Sequence, residues 1–274
     1  MRKNILWMLC CAVLFIGGGC KSEFEKIRVS GNPDLLLRSA FKYYEAKKYQ
    51  KAQTLFELVL SNVKGRTDAE RASLQYAYTH YYLKQYLLGA YYFKNFSNTY
   101  VNSPDREEAA YLSAYCNYLL SPTPKLDQGA TLTAIDEFQT FVNLFPQSSR
   151  IEECNGLIDE MRRKLEEKAF NEGELYYNLR QYQSAVISFD NLLKDYPESP
   201  DVERVRYLIA KALYRLSENS IVDKKQERYT ETIKRSDEFL AKYPNGKYTK
   251  EVQAIKKDSQ KAAKGSKTQS NTRT

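Results

Sequence analysis

Cys20 is the residue whose position suggests the most specific chemistry in this chain. It follows the small residues Gly17–Gly19 and an almost unbroken apolar run, Ile5–Ile16, which begins shortly after Arg2 and Lys3. The run is about 12 residues long, whereas a helix needs roughly 20 to cross a bilayer. A basic start, a short apolar core and small residues before a cleavage point are typical of a secretory signal peptide. The pattern therefore predicts that residues 1–19 are removed and that Cys20 begins the mature chain.

A cysteine directly after such a segment resembles the signal of bacterial lipoproteins, in which the thiol of the first mature residue is acylated. The segment departs from the usual pattern at Gly17, where those proteins commonly have leucine. The resemblance implies that Cys20 is the lipidation site and that residues 20–31 are a lipidated tether to the membrane. Stable attachment needs more than one acyl chain, which the triacylated cysteine of that class would supply. The alternatives are an ordinary signal peptide and an uncleaved anchor, whose helix Gly17–Gly19 would fray.

Side chains that could support catalysis or metal binding are scarce elsewhere. His80 is the single histidine, and Cys116 and Cys154 lie 38 residues apart with no CxxC spacing. A structural zinc site needs four such ligands, and no nucleophile elbow, P-loop or dinucleotide-binding glycine motif occurs. We therefore expect His80 and both cysteines to pack in the core. The sequence predicts a protein that is not an enzyme and that uses no metal and no cofactor.

The net charge of +8 is concentrated at the two ends of the chain. Arg2 and Lys3 contribute two of these charges and the segment from Lys256 onward contributes five, which leaves +1 for residues 20–255. A nearly neutral body lacks the basic groove that phosphate backbones require, so we expect no nucleic-acid partner. The polar composition of residues 264–274 predicts a disordered basic tail.

Tyrosine is the side chain best suited to binding chemistry here, with 23 copies in the chain. A phenol ring offers a large rigid contact area and a hydroxyl that tolerates water, which suits a surface that binds peptides. Many of these tyrosines recur at regular intervals. Their location in the molecule therefore depends on the helices that carry them.

Three stretches share a tyrosine, a small residue three positions later and a phenylalanine four positions after that. They are YQKAQTLF, YLLGAYYF and YQSAVISF, with small residues Ala52, Gly89 and Ala185, and ATLTAIDEF keeps the last two features with Ala134. A small residue lets two antiparallel helices approach closely, and the phenylalanine fills the space beside it on the same face. Proline-containing segments such as DYPESP then end the second helix. The pattern predicts helix hairpins, with no strand signals between them.

These hairpins resemble tetratricopeptide repeats, of which we count five. The repeats are Asn32–Lys64, Thr67–Pro104, Asp105–Ser148, Ser149–Ser199 and Pro200–Lys247. Asn32 and Pro33 cap the first repeat, the insertion Ser121–Gly129 separates the helices of the third, and a final helix from about Tyr248 to Ala263 closes the array. A single hairpin cannot bury its apolar face, so the hairpins must stack. The predicted fold is all-α: an α-α superhelix of about five tetratricopeptide-like hairpins plus a C-terminal capping helix, over residues 32–263.

The first helix of each repeat lines the concave face of such a superhelix, which is a surface for extended peptides or partner domains. We place these helices by their small residues, which are Ala40, Ala77, Ala114, Gly173 and Ala210. An aromatic set in the first three repeats then falls on the concave side. We predict a peptide-binding groove formed by Phe41, Tyr44, Tyr78, Tyr81, Tyr82, Tyr111, Tyr115 and Tyr118. The competing interpretation is that some of these side chains only pack against the next repeat.

The lipoprotein signal, five hairpins and a capping helix together resemble the BamD family of outer-membrane protein assembly lipoproteins, over nearly the whole mature chain. The sharpest local match is Ala169–Val205, where a long helix ends in Tyr-Tyr and the following helix closes with Asp-Tyr-Pro-x-Ser. The resemblance implies lipid anchoring on the periplasmic face of the outer membrane. It implies a BamA-like barrel inserter docked on the C-terminal repeats. It also implies unfolded outer-membrane protein precursors in the N-terminal groove, bound by a final strand that alternates apolar residues and ends in an aromatic one.

Two other classes stay open at this point. Some tetratricopeptide envelope lipoproteins coordinate cell division or peptidoglycan synthesis, but they usually add a coiled coil, and no sustained heptads occur here. SusD-like lipoproteins use the same repeat to bind glycans, but they are typically much longer. Tryptophan is the usual platform for sugars, and Trp7 in the signal is the only one in this chain.

Overall fold

The computed structural model describes residues 22–271, with side chains described as far as Gly265. The chain forms two compact units. Unit 1 holds the described residues up to Ser121 together with Ala130–Ile151, and unit 2 holds Pro122–Gly129 together with the residues from Glu152 onward. Residues 32–263 were expected to form one domain. The division falls at the insertion of the third repeat and at the start of the long helix that follows this repeat.

Unit 1 contains the first three predicted hairpins and one additional short helix. Its helices are α1 (Glu23–Arg28), α2 (Pro33–Glu45), α3 (Tyr49–Val59), α4 (Ala69–Tyr82), α5 (Tyr86–Thr99), α6 (Arg106–Leu120) and α7 (Gly129–Leu144), with a 3-10 turn at Leu60–Asn62. Each helix from α2 to α5 packs against the next one along the chain, and α2 also contacts α4. The last contact places first helices of successive repeats side by side, as in stacked tetratricopeptide hairpins.

Unit 2 contains the fourth and fifth hairpins and the final helix. Its helices are α8 (Ile151–Asn178), α9 (Tyr182–Asp195), α10 (Val202–Glu218), α11 (Val222–Lys242) and α12 (Thr249–Asn271). Here α9, α10, α11 and α12 pack consecutively, and α10 also contacts α12. Residues 22–271 contain no strand. The predicted all-α fold of five hairpins and a capping helix is therefore confirmed.

Sequence signals at the helix ends act as predicted. The side-chain oxygen of Asn32 accepts hydrogen bonds from the backbone amides of Asp34 and Leu35 at 3.0 and 3.1 Å, and Pro33 is the first helical residue of α2. These bonds satisfy donors that have no partner within the helix.

In four repeats, the residue directly after the second helix is aromatic. The backbone amide of this residue, which is Tyr100, Phe145, Tyr196 or Tyr243, donates a hydrogen bond to the carbonyl oxygen four residues earlier. Three of these rings also pack on the aromatic ring one turn before, with centroid distances of 4.9 to 5.2 Å. The proline or polar turn that comes next cannot continue the helix.

The small residues of the repeats mark close helix contacts. All nine are buried: Ala40, Ala52, Ala77, Gly89, Ala114, Ala134, Gly173, Ala185 and Ala210. Gly173 is the extreme case, because a Cβ atom at this position would overlap the ring of Phe189. Phe189 is itself fully buried. Glycine at position 173 therefore sets how closely α8 and α9 approach each other.

The structure differs from the expectations at both ends of the described chain. The segment expected to be a tether contains α1, whose Phe24 and Ile27 pack against the core of unit 1. A six-residue helix is not stable alone, so this docking explains why it forms. At the other end, α12 continues to Asn271, into the segment expected to be a disordered tail, which contains no proline to stop the helix.

Candidate peptide-binding surface

Seven tyrosines of unit 1, carried by α2, α3, α4 and α6, form two groups of contacting rings, one around Tyr82 and one on α6. We call the two groups together the tyrosine strip, and its members are Tyr44, Tyr49, Tyr78, Tyr81, Tyr82, Tyr115 and Tyr118. Six of them belong to the eight residues predicted from the sequence. The seventh, Tyr49, is the first residue of α3.

Tyr82 lies at the centre of the strip and is its most open member, with 45% of its surface exposed. Its ring stacks on Tyr49 at 4.4 Å and on Tyr78 at 5.9 Å between centroids. It also contacts Tyr81 at 5.7 Å and Tyr44 at 6.5 Å. Aromatic pairs at these distances stabilise one another, so the rings around Tyr82 are held in place before any ligand arrives.

The second group of strip rings lies on α6. Tyr115 stacks on Tyr118 at 5.6 Å between centroids. Both rings are half-buried. Burial raises the pKa of Tyr81 on α4, and the electrostatic effect of Tyr115 raises this pKa further. Rings of the strip therefore occur on three successive first helices, α2, α4 and α6.

The hydroxyl groups of Tyr44 and Tyr78 stay protonated at any physiological pH. Burial is the main cause that raises the pKa of Tyr44 well above its usual value, and the adjacent phenol of Tyr82 adds to this effect. Burial likewise raises the pKa of Tyr78, with a further contribution from the carboxylate of Glu108. Neutral phenols can both donate and accept hydrogen bonds. The strip can therefore offer ring faces to apolar side chains and hydroxyls to the backbone of an extended peptide.

Phe41 and Tyr111 do not belong to this open surface, which corrects their predicted place in the groove. Tyr111 is only 4% exposed and packs between Phe138 and Phe141 at 6.0 and 5.9 Å. Phe41 packs against the buried Phe56 at 5.6 Å. For these two residues the competing interpretation holds, because their rings are used in packing between helices.

An arginine from the following segment covers each of these two rings. The guanidinium carbon of Arg71 lies 4.3 Å from the ring centroid of Phe41, and Arg71 also pairs with Glu45 at 2.9 Å. Arg150 lies 4.0 Å from Tyr111 and pairs with Glu108. Cation–π contacts of this kind contribute about 0.5 to 2 kcal/mol each.

Unit 2 repeats the same arrangement. The guanidinium carbon of Arg204 lies 4.4 Å from the ring of Phe170, and Arg204 pairs with Glu174 at 2.7 Å. These arginine contacts were not predicted from the sequence, because Arg204 and Arg150 lie 30 and 42 residues from their carboxylate partners. Their one sequence signal is an arginine that recurs at or near the start of several first helices, as at Arg71, Arg150 and Arg204.

Tyr49 lies in the strip although it was not among the eight predicted groove residues. The turn between α2 and α3 is short, because Lys47 adopts a left-handed conformation with φ of 55°. Lys84 and Arg180 take the same conformation in the turns of the second and fourth hairpins. This turn brings Tyr49 back onto Tyr44, with 5.7 Å between their centroids.

His80 is a packed core residue, as predicted. It is 3% exposed, stacks on Tyr92 at 4.9 Å and hydrogen-bonds to the side chains of Gln53 and Gln85. Burial lowers its pKa, so the ring is neutral at pH 7. A neutral imidazole held by two amides and a tyrosine ring is arranged for packing.

The two cysteines after Cys20 are both buried thiols, as expected. Burial is the main cause that raises the pKa of Cys116 to about 12, and Glu137 adds to it. Because the thiolate is the reactive form, Cys116 is inert at neutral pH. Cys154 lies on α8 and is fully buried.

The described residues contain no group of three or more His, Cys, Asp and Glu side chains placed to hold a metal ion. The predicted lipidation site, Cys20, lies outside the described residues. Among the helices that are described, none is both long and apolar enough to span a bilayer.

A comparison with protein families matches most of the chain. The family model described as "YfiO: Outer membrane lipoprotein" matches residues 31–198 and again residues 174–261. The two matches overlap in the fourth repeat, and together they cover all five hairpins and most of α12. No match was found among curated proteins.

Proposed function

We propose a function from the premise that this chain belongs to the YfiO family of outer membrane lipoproteins, the family to which BamD belongs. Membership places the protein at the outer membrane, on its periplasmic face, and gives it a role in outer-membrane assembly. On this basis we propose that unit 1 binds unfolded β-barrel precursors and that unit 2 binds the barrel inserter. The role is one of binding and positioning, without catalysis.

The tyrosine strip is the observation that carries the precursor-binding proposal. A precursor's final strand, as the family resemblance implies, alternates apolar residues and ends in an aromatic residue. Side chains on one face of a strand are about 6.6 Å apart, which is twice the rise per residue. The rings around Tyr82 are separated by 4.4 to 6.5 Å. Successive side chains of an extended peptide can therefore contact successive rings of the strip.

The neutral hydroxyls add the polar part of such a site. An extended peptide that binds outside a sheet leaves its backbone donors and acceptors without partners, and this loss costs free energy. The phenols of Tyr44 and Tyr78 supply both donors and acceptors beside the rings. This combination suits many apolar strands of different sequence, since the contacts do not depend on one charged group.

Substitution of Tyr82 tests the proposal. Tyr82→Ala removes the central ring and should weaken binding of a peptide with the alternating sequence and terminal aromatic residue of a last barrel strand, by roughly tenfold or more. The matched control is Tyr91→Ala, because Tyr91 is 58% exposed on α5 and is not part of the strip. Binding is measured by fluorescence anisotropy of the labelled peptide.

Equal losses in the two variants would contradict the proposal. So would unchanged binding in Tyr82→Ala, provided that circular dichroism shows an intact helical fold. Binding of glycan fragments in place of the peptide would favour the SusD-like alternative.

Unit 2 has exposed apolar side chains that suit a folded partner. Leu175 and Leu179 are 55% and 58% exposed at the end of α8, and Ile187 on α9 is 55% exposed. Leu179 directly follows α8, and its backbone amide donates a hydrogen bond to the carbonyl of Leu175 at 3.0 Å. Exposed apolar side chains are typical of protein–protein interfaces when they form a patch. We assign this part of the fourth repeat to the barrel inserter.

A pull-down from membranes tests the second partner. Leu179→Asp in the lipidated protein should reduce recovery of a barrel inserter, because a charge would be buried in the contact. Leu87→Asp is the control, since Leu87 is 70% exposed on α5 in unit 1. Full recovery with Leu179→Asp, or equal loss with both variants, would contradict this assignment.

The anchor itself is proposed to be the acylated thiol of Cys20. Cys20→Ser should release the protein from sedimented membranes into the soluble fraction. Retention of this variant at the level of the unchanged protein would contradict lipid anchoring at this residue.

A further inference from the structure

A cavity of about 590 Å³ lies at the N-terminal edge of unit 1, between α1 and the first hairpin. One part of its wall is apolar and consists of Phe24, Ile27, Leu35 and Tyr43. Phe24 and Tyr43 contact each other edge to face at 5.7 Å, which fixes α1 against α2. We call this space the N-terminal cavity.

The other part of the wall is strongly basic. Lys26, Lys42, Lys48 and Lys51 line it, and Glu23 is its single carboxylate. Lys51 is held in position, because its ammonium lies 5.3 Å from the ring centroid of Phe24 and 5.5 Å from that of Tyr43.

These lysines differ from the arginines nearby. Arg28 pairs with Glu25 at 2.8 Å and Arg66 pairs with Asp34 at 2.7 Å. None of the four cavity lysines makes an ion pair of this kind with any side chain in residues 22–265. The cavity therefore has an excess of about three positive charges with no protein partner, next to an apolar wall.

The chain length to Cys20 sets the distance between the cavity and the membrane. Ser22 lines the cavity, and two residues of chain span at most about 7 Å. The polar headgroup layer on each side of a bilayer is about 5 to 8 Å thick. A protein anchored by acyl chains on Cys20 therefore holds this cavity at the depth of the headgroups.

We propose that the N-terminal cavity binds the headgroup of an anionic phospholipid in the membrane that holds the anchor. Lys42 and Lys48 bind the phosphate, and Phe24 and Ile27 contact the glycerol and the first carbons of the acyl chains. The proposal rests on the proposed anchoring through Cys20. It adds a second membrane contact to the lipid, of the kind that makes attachment stable and fixes an orientation.

Vesicle binding tests the proposal without acylation. The full mature chain carrying Cys20→Ser is mixed with vesicles of phosphatidylcholine containing phosphatidylglycerol, and bound protein is measured by sedimentation. We expect Lys42→Gln combined with Lys48→Gln to lower the partition coefficient about twenty-five-fold, about fivefold for each lysine. The control combines Lys64→Gln with Lys84→Gln, which removes the same charge from exposed positions of unit 1 outside the cavity, and should retain binding within about twofold.

Three results of the vesicle experiment would overturn the proposal. Equal losses in the two double variants would mean general attraction of a basic surface and would overturn the proposal, as would absence of binding by the parent chain. Displacement from the vesicles by inorganic phosphate alone would identify a soluble anion as the ligand and would also overturn it. Failure here would leave the release of Cys20→Ser from native membranes unaffected, so the two proposals can fail separately.

A reporter at Phe24 gives an independent measurement. The mature chain has no tryptophan, because the single one is Trp7. Phe24→Trp therefore introduces one fluorophore in the apolar wall. Its emission should shift to the blue and be quenched by brominated acyl chains when the anionic vesicles are added. An unchanged spectrum with bound protein would place the contact elsewhere and overturn the proposal.

Discussion

Two tyrosines one turn apart on α6 differ in how far they are covered. Tyr111 and Tyr115 stack on each other at 5.6 Å, yet Tyr111 is buried and Tyr115 is half-buried. Helical periodicity places both on one face. Periodicity alone cannot distinguish the two residues, because the difference comes from Arg150 and the rings of α7, which cover Tyr111. Six of the eight predicted residues lie in the strip, as periodicity places them, whereas the packing of Phe41 and Tyr111 depends on contacts between distant segments.

His80 makes the stability of the protein depend on pH. Burial lowers its pKa in the folded state, and Gln85 and Glu57 only partly oppose this. The unfolded chain therefore binds a proton more readily than the folded chain as pH falls below about 6.5. The stabilising contribution of neutral His80 is complete above this value and is lost at lower pH. The free energy of unfolding should decrease between about pH 7.5 and 5.5, by at most about 1.4 kcal/mol per pH unit.

Denaturant unfolding of the mature chain at several pH values measures this slope, and His80→Gln is the matched variant. Glutamine keeps hydrogen-bonding capacity toward Gln53 and Gln85 but does not titrate. The variant should lose the pH dependence in this interval even where its stability is lower throughout. An equal slope in both proteins would show that another group is responsible. A difference in slope between the two proteins can be assigned to His80, because the chain has one histidine.

At the scale of helices, the hairpins were predictable because their determinants are local. The spacing of a small residue and a phenylalanine within one helix, followed by an aromatic-proline stop, identifies both partners of a hairpin and its end. Helix α1 was not predictable in this way. Its six residues form a helix because Phe24 and Ile27 dock on unit 1, and nothing in the local sequence records that contact.

Substitution of Gly173 tests how closely α8 and α9 approach each other. Gly173→Ala would normally stabilise a helix by about 1 kcal/mol. Here the added methyl group must displace the fully buried ring of Phe189, and overpacking of this kind costs about 1 to 3 kcal/mol. We therefore expect no gain in unfolding free energy and a net loss of up to about 2 kcal/mol.

Gly156→Ala is the control on the same helix α8. A Cβ atom at position 156 has no neighbour within 4 Å, so this variant should be more stable by up to about 1 kcal/mol. Chemical denaturation of both variants measures the difference. If Gly173→Ala gained as much stability as Gly156→Ala, the close contact between α8 and α9 would be contradicted.

For the whole molecule, the family and the location followed from the order of the parts: a signal with a terminal cysteine, five hairpins and a final helix. The family match over residues 31–261 confirms that inference. Two features of the whole chain could not be inferred from it. The division into two units depends on how the insertion Pro122–Gly129 packs with the segment after Ile151. The N-terminal cavity depends on α1, which gathers lysines from separate parts of the sequence.

We propose one role for each unit: precursor binding on the tyrosine strip of unit 1 and binding of the barrel inserter on unit 2. Lipid anchoring at Cys20 would keep the first hairpin close to the membrane, where a precursor has to be released for insertion. The main proposal is that the strip receives the last strand of an unfolded precursor.

Site-specific photo-crosslinking tests this claim most directly. A photoreactive phenylalanine analogue replaces Tyr82 in the lipidated protein, or Tyr91 as the control, and an unfolded barrel precursor is added before illumination. Mass spectrometry of the crosslinked product should identify the C-terminal strand of the precursor at position 82 and little or no product at position 91. Crosslinks of equal yield at both positions, or crosslinks from position 82 spread evenly along the precursor, would contradict the account.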